Sequence, residues 1–308
     1  MAGYLIQRIL WIVPVLLSVA VLTFVLMHQV PGGPWDRAKR LPPEALENVN
    51  AEYGLDEPVW EQFGAYVVGL AQGDLGVSYR QGNRPVVEIM ADGIRVSATL
   101  GLLSLVVSVT AGVGLGVVSA LRSNTIVDYL AVGFATVGAS VPSFILGMLL
   151  LVLFTAQLHW LPSGGWGSPQ QAVMPVLALS ALPAAYIARV TRASMLDVLG
   201  QEYVRTARAK GLREQVVVAR HMLRNALIPV LTVIGPVAAM LVTGSFIVEQ
   251  LFAIPGIGRT FVTSISGRDY GVIMGVTLFY TFVVAVANLT VDLLYAAVDP
   301  RIRYEAHG

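Results

Sequence analysis

Apolar positions in this chain run together in long blocks, separated by polar stretches, rather than alternating or tracing one narrow stripe. The first block, Ile9 to Val30, is unbroken. At about 1.5 Å per helical residue it covers a hydrocarbon core of about 30 Å. Blocks at 96–121, 127–157, 172–192, 229–252 and 271–298 predict five more spans. The third is longer than a crossing requires, so part of it belongs outside the lipid. The fourth is the weakest, because Pro175 and Pro183 interrupt it. Six spans place both termini on one side.

Arg8 before the first block raises the question of a secretory signal. A signal core is shorter, about 7–15 residues, and no small-x-small cleavage pattern follows in Gln29-Val30-Pro31-Gly32. The block reads as a retained span. Composition agrees: of 308 residues, 56% are hydrophobic and only 13% charged, against roughly 25% charged in soluble domains. The expected class is an all-α integral membrane protein, organised as one transmembrane domain over 1–308. With no cysteine, disulfides, thiolate metal sites and thiol nucleophiles are excluded.

Basic residues orient the spans. Arg8, Arg122, Arg301 and Arg303, with the eight Lys and Arg of 189–228, make twelve of the 20 on one face. The short loops near 158–171 and 253–270 hold only Arg259 and Arg268. By the positive-inside bias, both termini and the 189–228 segment are cytoplasmic. The long 31–95 segment is then extracytoplasmic, with ten acidic and six basic residues. Pro43 starts a helix that Gly54 ends. After Pro58, residues Trp60, Phe63, Val67 and Leu70 recur at helical spacing, which predicts a second helix with an apolar stripe. The stripe suits local packing, the membrane surface or a partner.

Between the fourth and fifth spans lies a basic, helix-competent tract, Glu202-Tyr203-Val204-Arg205-Thr206-Ala207-Arg208-Ala209-Lys210-Gly211-Leu212, followed by an amphipathic run from Arg213 to Asn225. Gly211 permits a sharp corner between two helices. The 193–228 hairpin reads either as a device for contacting a cytoplasmic partner or as an ordinary basic loop.

Catalytic signatures are missing. The only lysines, Lys39 and Lys210, each follow an alanine, so no nucleotide-binding Gly-Lys-Ser/Thr exists. Neither His-Glu-x-x-His nor Gly-x-Ser-x-Gly is present. Enzymatic activity and a resident metal are not expected, and no nucleic-acid partner is expected either.

The remaining candidates lie in or beside the spans. Asp292 in the last span and Glu249 near the outer end of the fifth are intramembrane carboxylates, which by default mark ion or proton paths. A structural or subunit-contact role is the stronger reading for both, with gating by Glu249 as a further possibility. Phe252 to Arg259, with Pro255 and Gly256 at its turn, reads either as a tight external loop or as a segment dipping back to plug an aqueous path. Thr136, Ser140, Pro142 and Ser143 in the third span and Ser180 in the fourth fit a path lining, backbone bonding or helix packing equally. Gly112 with Gly116, and Gly271 with Gly275, have the spacing of close helix packing.

Several motifs in order resemble one family over nearly the whole chain. They are Pro31-Gly32-Gly33-Pro34, where Gly33 replaces the family's usual Asp; Tyr53-Gly54-Leu55-Asp56-Glu57-Pro58; Gly73-Asp74-Leu75-Gly76-Val77-Ser78; Tyr203 to Leu212 with His221 to Pro229; and Asn288 to Tyr295 with Asp299-Pro300-Arg301-Ile302-Arg303. The chain resembles the B-type permease subunit of bacterial ABC importers of the dipeptide, oligopeptide and nickel group. It departs from the usual Glu-Ala-Ala-x-x-x-Gly loop: counting back from Gly211, those positions hold Arg205, Thr206 and Ala207, and the nearest acid is Glu202.

The resemblance implies a type I importer permease fold in the bacterial cytoplasmic (inner) membrane. It implies a related C-type permease as heterodimer partner, two ATPase subunits that use ATP and Mg, and an extracytoplasmic solute-binding protein. It makes Glu202, Tyr203, Arg205, Ala207, Arg208, Lys210, Gly211 and Leu212 the coupling contact. Gly211 would set the corner, Ala207 would permit close approach, and the basic residues would orient the dock or hold membrane lipid phosphates. Dipeptides or oligopeptides are the leading substrates; nickel chelates, other small solutes or a stand-alone ion-coupled carrier are the alternatives.

Overall fold

The computed structural model describes residues 2–35 and 43–298, and side chains as far as Leu289. The Asp299-Pro300-Arg301-Ile302-Arg303 motif therefore lies outside the described residues. In chain order the helices are α1 (Ala2–Gln29), α2 (Pro43–Glu52), α3 (Val59–Ala71), α4 (Val86–Leu121), α5 (Ile126–Ser140), α6 (Ser143–Leu150, continuing as a π-helical turn Leu151–Gln157), α7 (Pro169–Leu199), α8 (Glu202–Ala209), α9 (Glu214–Val216), α10 (Leu223–Val242), α11 (Phe246–Leu251), α12 (Ile257–Gly267) and α13 (Tyr270–Val298). A π-helical turn, Val217–Met222, joins α9 to α10. Among the described residues extended pairing is confined to one isolated bridge, Val77 with Pro85.

Among the described residues five helices are long and apolar enough to cross a membrane, and the spans number six if α5 and α6 form one bent span. The expected spans are recovered with three corrections. The third is folded at its middle: α5 and α6 meet at 104°. Val141 and Pro142 there are extended, because proline's ring crowds the preceding residue out of the helical region. The excess length seen in the sequence is taken up by this bend.

The fourth is not broken. α7 runs 31 residues through Pro175 and Pro183, both buried along with Met174, Leu179, Ile187 and Met195. Packing on several sides holds a helix that proline would otherwise interrupt. At its start Gln171 accepts from the Ser168 N–H at 3.1 Å, with Pro169 in the first turn.

The fifth lies earlier than expected. α10 stops at Val242, Gly244 takes φ +85°, and Ser245 Oγ accepts from the Val248 N–H to start α11 separately. Glu249 therefore sits on a short helix of its own, beyond the end of the span.

The chain divides into two compact units. One holds Met1–Val96 and Pro255–Leu289, and the other Ser97–Ile254. In the first, the α3 face made by Phe63, Tyr66 and Leu70 packs with Ala20, Phe24, Met27 and Met274. Trp60, expected on that face, is exposed instead, so the true stripe runs through Tyr66. Gly271 and Gly275 press against the Val77 carbonyl and Val86. In the second unit, a Cβ at Gly112 would lie 2.8 Å from the Ala184 carbonyl oxygen, and one at Gly116 2.5 Å from Thr191 Cβ. Both small-residue pairs are close-packing devices.

Candidate functional site

The hairpin is built by one well-defined corner. α8 ends at Lys210, and Gly211 follows at φ +75°. The Gly211 N–H donates to the Arg208 carbonyl at 2.9 Å, and the Leu212 N–H reaches back to the Ala207 carbonyl at 3.4 Å. This pair of bonds is the Schellman ending, which needs a left-handed residue and so selects glycine. Across the corner Arg208 grips Glu214 with Nη2 to Oε1 at 2.6 Å and Nε to Oε2 at 3.1 Å. The Arg208 guanidinium holds the Glu214 carboxyl below its ordinary range. Asn225 Nδ2 donates to Tyr203 Oη at 2.8 Å, closing the hairpin's other end.

One face of α8 is buried and the other is not. Val204 and Ala207 pack with Met195, Val217, Met222 and Ala226. Ala207 is thus packed in the hairpin's own core, and its small side chain allows the close approach of these residues. Glu202, Tyr203, Arg205, Arg208, Lys210, Gly211 and Leu212 are exposed. Tyr203, Leu212 and Val216 present large apolar surface among the basic groups.

Residues proposed for a path are partly absorbed by the backbone. Ser140 Oγ donates to the Thr136 carbonyl, Thr136 Oγ1 to the Val132 carbonyl, and buried Ser180 to the Leu177 carbonyl. Pro142 makes the bend. Ser143 lines a cavity of about 290 Å³ together with Leu179, Pro183, Met240 and Ser245.

Glu249 is completely buried. Its Oε1 accepts from Ser97 Oγ at 2.7 Å, and only glycine at 244 leaves room for the carboxylate. After it, Phe252 and Ile254 are buried, and the Phe252 carbonyl accepts from the Gly165 N–H at 2.7 Å. Gly256 is buried and Pro255 exposed; Gly256 is the N-cap of α12. Phe252 and Ile254 are therefore packed within the second unit. Asp292 lies in α13, but its side chain falls outside the described residues.

Sequence reasoning missed a buried ion pair. Asp128, 3% exposed in its side chain, receives Arg192 Nε at 2.8 Å and Nη2 at 2.7 Å, with the Asn124 N–H and Ser119 Oγ completing its shell. The available signal was a carboxylate and an arginine at the ends of two predicted spans, where charges occur in pairs.

Long apolar helices, with a polar hairpin between two of them, define a class, the multi-span helical membrane protein. The family model "Binding-protein-dependent transport system inner membrane component" matches residues 112–304, and that of the corresponding N-terminal region matches 1–101. The chain belongs to this family, as a multi-pass permease subunit of the binding-protein-dependent ABC importers, in the dipeptide and oligopeptide group. It is 42% identical over 308 residues, all of both chains, to the dipeptide transport system permease protein DppB of Bacillus subtilis. It is 40% identical to the oligopeptide transport system permease protein OppB of Salmonella typhimurium, over 99% of this chain and all of that one. Among solved structures it resembles an inward-facing MetNI methionine ABC transporter chain at TM-score 0.56 and 19% identity, covering 69% of this chain and 97% of that one. That likeness supports the type I importer permease fold.

Proposed function

We propose that this subunit moves dipeptides or oligopeptides inward across the membrane by alternating access, driven by separate ATPase subunits that bind ATP and Mg and grip the 193–228 hairpin. Its expected companions are a C-type permease and an extracytoplasmic binding protein that delivers the substrate. The termini and the hairpin face the cytoplasm in this reading. Substrate class comes from the relatives named DppB and OppB.

The observation that carries the coupling role is the two-sidedness of α8. Its inner face is locked by Val204 and Ala207 to Met195, Val217, Met222 and Ala226, residues that lead directly into α7 and α10. A push on α8 is therefore transmitted to both spans instead of being absorbed in a loose loop. Its outer face offers Tyr203 and Leu212 as apolar contacts, with Arg205 and Lys210 around them. Tyrosine and arginine are the usual anchors of a docking surface.

The chain has no cysteine, so a single cysteine at Tyr203 or Leu212 is a unique crosslinking site. In the assembled importer, crosslinks from both positions to an ATPase subunit are expected, and they should change in yield on nucleotide binding. Crosslinks from neither position, in a complex that still transports peptide, would remove the hairpin from the coupling path.

A further inference from the structure

The first unit contains a cavity of about 330 Å³ that the hairpin mechanism does not use. Its inner end is apolar, made by Phe24, Met27 and Met274, which are buried. Its walls are the rings of Tyr53, Tyr79 and Tyr270, inclined to one another rather than stacked flat. Tyr53 meets Tyr79 at 59° with centroids 4.7 Å apart, and Tyr79 meets Tyr270 at 64° and 6.3 Å. Inclined rings make a concave aromatic surface, the form that receives an organic cation.

The polar groups point the same way. Glu57 lies at the exposed end, its carboxyl group over Gly54. Among the described residues no lysine or arginine lines the cavity. The one lining imidazole, His28, has its ring nitrogens turned to protein acceptors, the Phe24 carbonyl at 2.8 Å and Gln62 Oε1 at 3.2 Å. Tyr66, also in the lining, has a buried hydroxyl with no hydrogen-bond partner among the described residues. Burial pushes the Tyr66 phenol well above its ordinary value, so it remains a neutral hydroxyl whose oxygen can accept from an N–H. A buried hydroxyl without a partner is a cost to the fold unless something occupies its side of the cavity.

We propose that this cavity binds a small organic ammonium group, with the alkyl end against Phe24, Met27 and Met274 and the charged nitrogen among the tyrosine rings, the Glu57 carboxylate and the Tyr66 hydroxyl. The volume admits a chain of a few carbons. The ammonium comes either from a simple alkylamine or from the free amino terminus of a short peptide. The site stands apart from the coupling role of the hairpin, and its test leaves that role untouched.

The test is a ligand-observed NMR titration of the full chain in lipid nanodiscs. The probes are n-butylammonium, its neutral counterpart 1-butanol, leucyl-alaninamide, and the N-acetylated form of that amide. Saturable binding of n-butylammonium is expected, at least about tenfold tighter than 1-butanol. Glu57→Gln and Tyr66→Phe should each weaken it about fivefold or more, without lowering the melting temperature, since one residue is exposed and the other loses only an unpartnered hydroxyl. Binding of leucyl-alaninamide but not its acetylated form would assign the ammonium to a peptide; binding of n-butylammonium alone would assign it to a free amine. Either supports the site. Binding of neither ammonium, equal binding of the neutral probes, or unchanged affinity in both variants overturns it.

Discussion

Arg192 and Asp128, 64 positions apart in the chain, meet in a two-pronged ion pair, with Nε to Oδ1 at 2.8 Å and Nη2 to Oδ2 at 2.7 Å. The pair ties the first turn of α5 to the last third of α7, immediately before the 193–228 hairpin. Removing Arg192 leaves the Asp128 carboxylate, 3% exposed, without its charge partner, which destabilises the fold. Arg192→Met should therefore lower the thermal unfolding temperature of the purified chain substantially. The double replacement Asp128→Leu with Arg192→Met should recover much of the loss, because no orphan charge remains. A double variant as unstable as Arg192→Met alone would show that the two residues are not coupled.

Gly211 holds a conformation that costs other residues about 1–2 kcal/mol, with asparagine the least penalised. Gly211→Asn is expected to retain most transport and Gly211→Val to lose it, while both reach the membrane in normal amount. Gly211→Trp should also abolish transport. Peptide uptake and ATPase stimulation in reconstituted vesicles measure this. Full activity in the valine or tryptophan variant would detach the corner from coupling.

Two glycines two residues apart should behave oppositely. A Cβ at Gly116 would come 2.5 Å from Thr191 Cβ and 2.7 Å from the Ala188 carbonyl oxygen, whereas one at Gly114 meets nothing within 4 Å. Forcing extra atoms into a packed contact costs about 1–3 kcal/mol. Gly116→Ala should reduce stability by that order and Gly114→Ala should leave it unchanged or raise it. The comparison needs only melting curves of the two variants.

The Arg208–Glu214 bridge should make the hairpin acid-sensitive. Because the Glu214 carboxyl is depressed below its ordinary value of 4.5, its stabilising contribution is complete above that value. It fades as pH falls through the lower folded value. Protease cleavage near residue 211 should therefore increase at low pH. Glu214→Gln should cleave faster at neutral pH and show less pH dependence. The effect is small, since both partners are more than one-third exposed. An unchanged pH profile in Glu214→Gln would assign any acid sensitivity elsewhere.

The elements that were readable in advance are those whose cause is local. Pro43 and Gly54 bracket α2 because each acts on its own backbone, and Gly211 marks the corner for the same reason. Long apolar blocks announced the spans, since length and hydropathy are properties of a single segment. Other features escaped, hidden either by an average over a window or by packing between segments. The stretch through Thr243 and Ser245 is apolar enough on average to hide the break that Gly244 makes, so the fifth span was placed too late. Pro175 and Pro183 were given their usual power to interrupt, which the tight packing around α7 cancels. Within the candidate site, the outer face of the hairpin followed from its charges. The burial of Ala207 depends on Val217 and Met222 folding back over it, and the Asp128–Arg192 pair depends on two spans meeting.

Position 211 has open space where a side chain would begin and a backbone twist that ordinary side chains resist. What the bend rejects there is handedness and not bulk. An achiral residue is the natural tenant of such a place, and even the smallest chiral one is penalised before it touches anything.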